Sequence, residues 1–290
     1  MICTFVTLFG AALGSPDAQN PMPVGSAVVG HRMNPIPGTC NEGKRCPLAA
    51  APTGSMFLAA TKDMDTSQRE DQVLAQLLQR NMPKFLQNFS MVVTSKAAGH
   101  TVLFRALPDY VSIGDSTDFV RIPVAAFTAQ RVADAFNASL PTTKMVDLLW
   151  AAAPVHVAPK PLPPSSNMTS NAYFGHENNL IEQELEAAGR PARTLGVAGQ
   201  KKDIVLTNAY AKHPTSVCIY GWTHLDESNI QPLYCGHAAW YADYSHGARL
   251  VHSTVLVDGS EAKLANVLRD PVLSVLLSDE GPIHSPRIPS

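Results

Sequence analysis

Histidine is the residue type whose placement first suggests chemistry. Of the chain's ten histidines, His224, His237, His246 and His252 fall in one stretch, GWTHLDESNIQPLYCGHAAWYADYSHGARLVHS. Imidazole exchanges protons near neutral pH and ligates metals, so a local cluster marks a candidate centre. Trp222, Trp240, Tyr241 and Tyr244 are interleaved with it and supply ring faces for a cleft. Asp243 and Ser245 complete the polar set.

Three chemistries fit these types. In the first, a nucleophile (Ser245 or Cys235) is activated by a base (His246, then His237), oriented by Asp243 or Asp226. An activated water serves equally well as nucleophile. No Gly-x-Ser-x-Gly elbow is present, so the α/β-hydrolase arrangement is not expected. Residues 245 and 246 are adjacent and would face opposite sides of a strand, so adjacency does not pair them. The second chemistry is zinc binding through His224, His237 and His246, with Asp243 and His252 as further donors. No spacing matches His-Glu-x-x-His: His176-Glu177 is followed at the required position by Leu180. The third is a carboxylate pair for glycoside hydrolysis, drawn from Glu177, Glu182, Asp203, Asp226 and Asp243. Against all three stands the plain alternative of a core loop and hairpin whose ring nitrogens are satisfied by backbone carbonyls.

Within this stretch Ser245-His246-Gly247, followed by Ala248-Arg249-Leu250, resembles the Ser-His-Gly-Cys signature of L,D-transpeptidases. In that family the cysteine is acylated and the histidine is its base. Here Ala248 directly follows Gly247, so the nucleophile is missing, and Gly236-His237 reverses the family's upstream His-Gly pair. The resemblance implies a related β-rich cleft with different chemistry, and transpeptidase activity is not carried over.

The totals narrow the class. With 290 residues, 45% hydrophobic and 16% charged, the chain is long enough for a substantial core. A formal net charge of −2, with Lys and Arg scattered, excludes the concentrated basic face that nucleic-acid binding requires. The apolar run 2–13 is shorter than the roughly 20 residues of a membrane span and suits a signal peptide cleaved after Gly14. Export also fits the acceptor tripeptides at Asn88, Asn137 and Asn167 and an even mature cysteine count. Cys40 with Cys46, and Cys218 with Cys235, are candidate bridges; four free thiols are the alternative.

Around these residues the periodicities predict elements. Residues 15–54 read as an extended arm, and 55–290 as one globular domain. A capping box at Thr66-Ser67 and Glu70 opens a helix carrying Val73, Leu74, Leu77 and Leu78. Strands are expected at 91–94, 101–106, 110–113 and 118–122, as an antiparallel meander. Helices follow at 123–137 (Val124, Phe127, Val132 and Phe136 inward), from Pro141 through Trp150, and at 173–188 with its acidic residues outward. The prolines of 154–170 mark a surface crossing. Strands at 203–207, 216–220 and 249–257 and a helix at 261–268 complete the chain, with Lys201-Lys202-Asp203 as a solvated edge. Helices and antiparallel strands without βαβ alternation indicate α+β.

The leading expectation is therefore a secreted hydrolase acting on a polymeric or peptide-like substrate. His246 and His237 act as bases, Asp243 orients, and Ser245 or water attacks. Trp222, Trp240, Tyr241 and Tyr244 line the cleft, with Tyr173, His176 and Asn178 opposite. No cofactor is required beyond the zinc of the metal alternative. The rival from another class is a secreted binding protein presenting Trp222, Trp240 and Tyr241 to a carbohydrate or protein partner.

Overall fold

The structure is a computed structural model that describes residues 51–189 and 191–289. The expected signal segment and the Cys40–Cys46 bridge lie outside the described residues. Residue patterns that alternate every two positions become strands, and those repeating every three or four become helices. Strand Met91–Ala97 buries Met91, Val93 and Ser95 and exposes Val92, Thr94 and Lys96. It pairs antiparallel with His100–Ala106 across a turn at Ala98-Gly99. That second strand lies in a sheet with Thr254–Val257, Ser260–Lys263, Val251–His252 and Ala138–Ser139. The expected four-strand meander is instead two hairpins, because Ser112–Gly114 and Phe119–Arg121 pair only with each other.

Among the described residues there are six α-helices: α1 Gly54–Thr61, α2 Thr66–Leu78, α3 Ala126–Ala135, α4 Thr143–Ala152, α5 Asn171–Ala187 and α6 Leu264–Arg269. The capping box of α2 lies two residues earlier than the Ser67…Glu70 pattern suggests. Asp65 caps it reciprocally with Gln68, and Glu70 turns inward to accept from Ala125 N–H at 3.1 Å. Phe127 is 43% exposed, because α3 buries the face carrying Ala126, Ala129, Val132 and Ala133. Residues 260–263 extend a hairpin with 254–257 before α6 starts, so the helix expected from 261 is shorter.

α5 is the element that matters most for the site. Ser170 accepts from Tyr173 N–H at its N-terminus, and Asn171, Phe174, Asn178, Ile181 and Leu185 form its buried stripe. Of its acidic residues Glu186 is exposed as expected, but Glu177 and Glu182 are not outward. Glu177 lies in the buried face, and Glu182 accepts from the fully buried Arg121 at 2.8 Å. Arg121 also donates to Asp109 from Nε and Nη2, at 2.9 and 2.6 Å, and to Asn178 from its backbone and Nη1. These bonds fix α5 against the 112–121 hairpin, since a buried guanidinium is tolerated only where its donors are answered.

The second sheet runs in the order Asn229–Ala238, Ser216–Thr223, Lys202–Ile204, His246–Gly247. Its first three strands are antiparallel and the last joins parallel, His246 opposite Lys202 and Gly247 opposite Asp203. The long hairpin slips register on both sides of Tyr234, and the Cys218–Cys235 disulfide ties its strands there. Together the elements form one compact α+β domain. None of its described helices is long and apolar enough to cross a membrane.

The bridge closes a loop between cysteines 17 residues apart. Restricting such a loop in the unfolded chain is worth about 3 kcal/mol. Replacing both cysteines by serine is expected to lower urea-unfolding stability by about that amount. An unchanged midpoint would remove the disulfide from the account of how this hairpin is held.

Candidate functional site

The site is built where the 246–247 strand joins the sheet. Paired positions in a ladder project to one face, so His246 and Lys202 stand side by side. The loop before this strand folds back through Asp243, whose Oδ1 accepts from the Ser245 N–H at 2.8 Å and the Ser245 hydroxyl at 2.6 Å. The other oxygen, Oδ2, lies 3.8 Å from His246 Nε2 and accepts from the Tyr241 hydroxyl at 3.3 Å. His237 arrives from the long hairpin and stacks on Tyr241 at 4.4 Å, with its ring 6.1 Å from that of His246. His246 is fully buried, whereas His237, Tyr241 and Lys202 are half-buried and form the accessible side.

Aromatic rings make the floor. Trp222 follows Gly221, and both adopt positive φ (57° and 98°), a kink within the 216–223 strand. Its indole N–H donates to Gln200 O at 3.2 Å, and its ring lies 4.8 Å from the Lys202 ammonium. Tyr244 meets Trp222 edge-on at 6.3 Å and Tyr173 of α5 at 5.8 Å. On the other side of the 246–247 strand, a Cβ at Gly247 would come within 2.5 Å of the Tyr110 ring, so only glycine lets that ring pack there. Tyr110 in turn donates to Asp203 at 2.7 Å.

Lys201 ties the parts together. Its ammonium donates to Glu177 of α5 and to Tyr244 O, both at 2.6 Å, with each side chain of the ion pair 1% exposed. The expected solvated edge at Lys201-Lys202-Asp203 is therefore corrected: Lys201 and Asp203 are buried and Lys202 is half-buried.

Compared with family models, with curated proteins and with solved structures, the chain matches none.

The geometry gathers some of the expected residues and separates others. His237, Tyr241, Asp243, Ser245 and His246 share one cluster with Trp222, Tyr244 and Tyr173. Trp240 is 60% exposed at the rim beside Tyr241. His176 is exposed, one position round α5 from Glu177, which takes the inward place instead. Asn178, also expected opposite, is committed to Arg121. His224 and Asp226 lie exposed at the hairpin turn, and His252 packs on Phe89 in the other sheet. Among the described residues no group of three or more His, Cys, Asp or Glu side chains is placed to hold a metal. His224, His237 and His246 thus do not form the zinc set considered above. Cys235 is in the disulfide and offers no thiolate.

The electrostatics follow from burial. Burial pushes His246 down to about 4, so its ring is neutral at pH 7, and neither ring nitrogen has a hydrogen-bond partner among the described residues. Burial also lowers His237 and Lys202. For Asp243 burial opposes the charge. The neighbouring imidazole, the bonds from Ser245 and the Lys202 ammonium outweigh it and hold the carboxyl below its ordinary range. Glu177 is raised by burial, an effect the adjacent Lys201 only partly offsets.

Two outcomes follow. His246 enters the fold neutral, with a folded value near 4 against 6.5 ordinarily. Its contribution is whole above pH 6.5 and is lost as pH falls toward 4, because the unfolded chain takes up a proton the native ring refuses; the total is about 3 kcal/mol. Asp203, raised by burial to about 7, works in the opposite sense, its cost relieved as pH falls from 7 toward 3.8. The test is therefore a difference. Urea stability of the parent minus that of His246→Asn should shrink by about 3 kcal/mol between pH 7 and pH 4, and parallel curves would refute the neutral burial. For the buried ion pair, Lys201→Met should cost about 3–5 kcal/mol and Lys201→Met with Glu177→Leu distinctly less. A double variant as unstable as the sum of its parts would refute direct pairing.

Proposed function

We propose that this chain is a secreted hydrolase acting on a polymeric or peptide-like substrate, with its centre at Asp243, His246 and His237. The observation that carries the reading is a fully buried imidazole 3.8 Å from a carboxylate, with both ring nitrogens unpartnered. A buried polar group without a partner costs about 1–3 kcal/mol, a cost that function accounts for and packing does not. Neutral imidazole is the form that accepts a proton. Asp243 stabilises the imidazolium as it forms, and His246 returns that proton to the leaving group, with the half-buried His237 beside it on the accessible side.

Water is the nucleophile in this reading. The Ser245 hydroxyl is fully buried and its proton is directed to Asp243, so Ser245 holds the carboxylate in place. Tyr241 stands against both histidine rings, 4.4 Å from His237 and 5.7 Å from His246. Export is supported by the Cys218–Cys235 bridge and by the exposure of Asn88, Asn137 and Asn167, the three candidate glycosylation positions.

One observation favours a second reading: Trp240, at 60% exposure, stands beside Tyr241 with Leu233 and Tyr234 also exposed on the same hairpin. A secreted binding protein would present such a platform to a carbohydrate or protein partner.

The deciding experiment is a fluorogenic panel of ester, peptide and glycoside substrates on the purified protein. Turnover is expected, falling about 10²–10⁴-fold in His246→Asn with the fold intact by circular dichroism. Turnover unchanged in that variant would sink the assignment. No turnover at all, with ligand binding lost in Trp240→Ala, would establish the platform instead.

A further inference from the structure

The cluster holds more hydrogen-bond donors than its own acceptors answer. Lys202 and His246 share one face of the sheet. Among the described residues the Lys202 ammonium makes no hydrogen bond or ion pair, resting only over the Trp222 ring. Among the described residues the His237 ring is held by stacking on Tyr241 with no side-chain hydrogen bond, and both nitrogens of His246 are unpartnered. Asp243, the nearest carboxylate, receives Ser245 on one oxygen and Tyr241 on the other and makes no direct bond to the Lys202 ammonium among the described residues. Glu177 gives one oxygen to Lys201, leaving only its second, fully buried oxygen free.

Ammonium and imidazole N–H groups side by side suit an anionic oxygen ligand. Charge selects which kind. Lys201 is paired with Glu177, and Asp243 acts on Lys202 only through space, so the cluster carries little net charge and a single negative charge is accommodated far more readily than a double one. We propose that this cluster receives a carboxylate on the substrate, with Lys202 forming the ion pair and His237 the second hydrogen bond. The inference rests on the hydrolytic reading and deepens it: the substrate is a peptide-like chain end whose free carboxylate seats the adjacent bond above His246.

Binding is measured on the whole protein, isotope-labelled at histidine, by following the imidazole resonances of His237 and His246. The probes are N-acetylglycine, its neutral amide N-acetylglycinamide, and inorganic phosphate. N-acetylglycine should shift the His237 resonances saturably and the amide should not. Lys202→Gln should weaken that binding about tenfold or more, and Lys202→Arg should retain it within a few-fold. Equal binding of acid and amide in the unmodified protein overturns the proposal, as do undiminished binding in a folded Lys202→Gln and tighter binding of phosphate. Acid-selective binding with no turnover in the substrate panel would discard the hydrolase and keep the carboxylate site. Turnover without acid-selective binding would do the reverse.

Discussion

The Lys201 ammonium is the point on which this architecture closes. With 1% of its side chain exposed, its charge has to be answered inside the protein, and the answers come from two distant elements. Glu177 brings α5 to the sheet, and Tyr244 O brings the loop that carries Asp243 and Ser245. That convergence sets the loop beside the helix, where Tyr173 meets Tyr244 and Tyr244 N–H donates to Met168 O just before α5. Arg121 repeats the device further along α5 through Glu182 and Asn178, and the buried Arg69 donates to Asn171 at its first turn, so buried cations fix the helix at several points.

The same economy of charge shapes the site. An ionised Asp243 and a neutral His246 sit 3.8 Å apart because the carboxylate has donors of its own and the imidazole has none. Had Ser245 bonded His246, the ring would be satisfied and the carboxylate left bare. The sequence order Asp-Tyr-Ser-His permits the observed arrangement. A turn at Asp243 accepts from the residue two ahead, and His246 N–H bonds back to Asp243 O at 3.0 Å before the strand begins.

Much of the fold was legible because it rests on local periodicity. The stripe of Phe174, Ile181 and Leu185 announces α5, the alternation from Met91 announces its strand, and the two bridged cysteines flank a hairpin. The site was legible as a region: His237, Asp243, Ser245 and His246 do meet. What sequence could not reveal is which side of an element a charged residue faces when its partner is far along the chain. Glu177 and Lys201 each look solvated alone, and become buried only as a pair. Lys202 was noticed before its strand but had no visible neighbour, since its pairing with His246 spans the entire 216–238 hairpin. His176 and Glu177 differ by one helical step, which reverses inside and outside. His224 and His252 joined the cluster by proximity in sequence, and the turn and the sheet change carry them away.

The parallel pairing of His246 with Lys202 has a kinetic side. It joins segments separated by a complete hairpin, so the chain must order that hairpin, or meet the entropy of closing a long loop, before the two residues face each other. Local contacts such as the turn at Ala98-Gly99 carry no such cost. The pairing of His246 with Lys202 therefore belongs to the last stages of folding, and a partially folded chain holds its helices and hairpins before it holds this cluster.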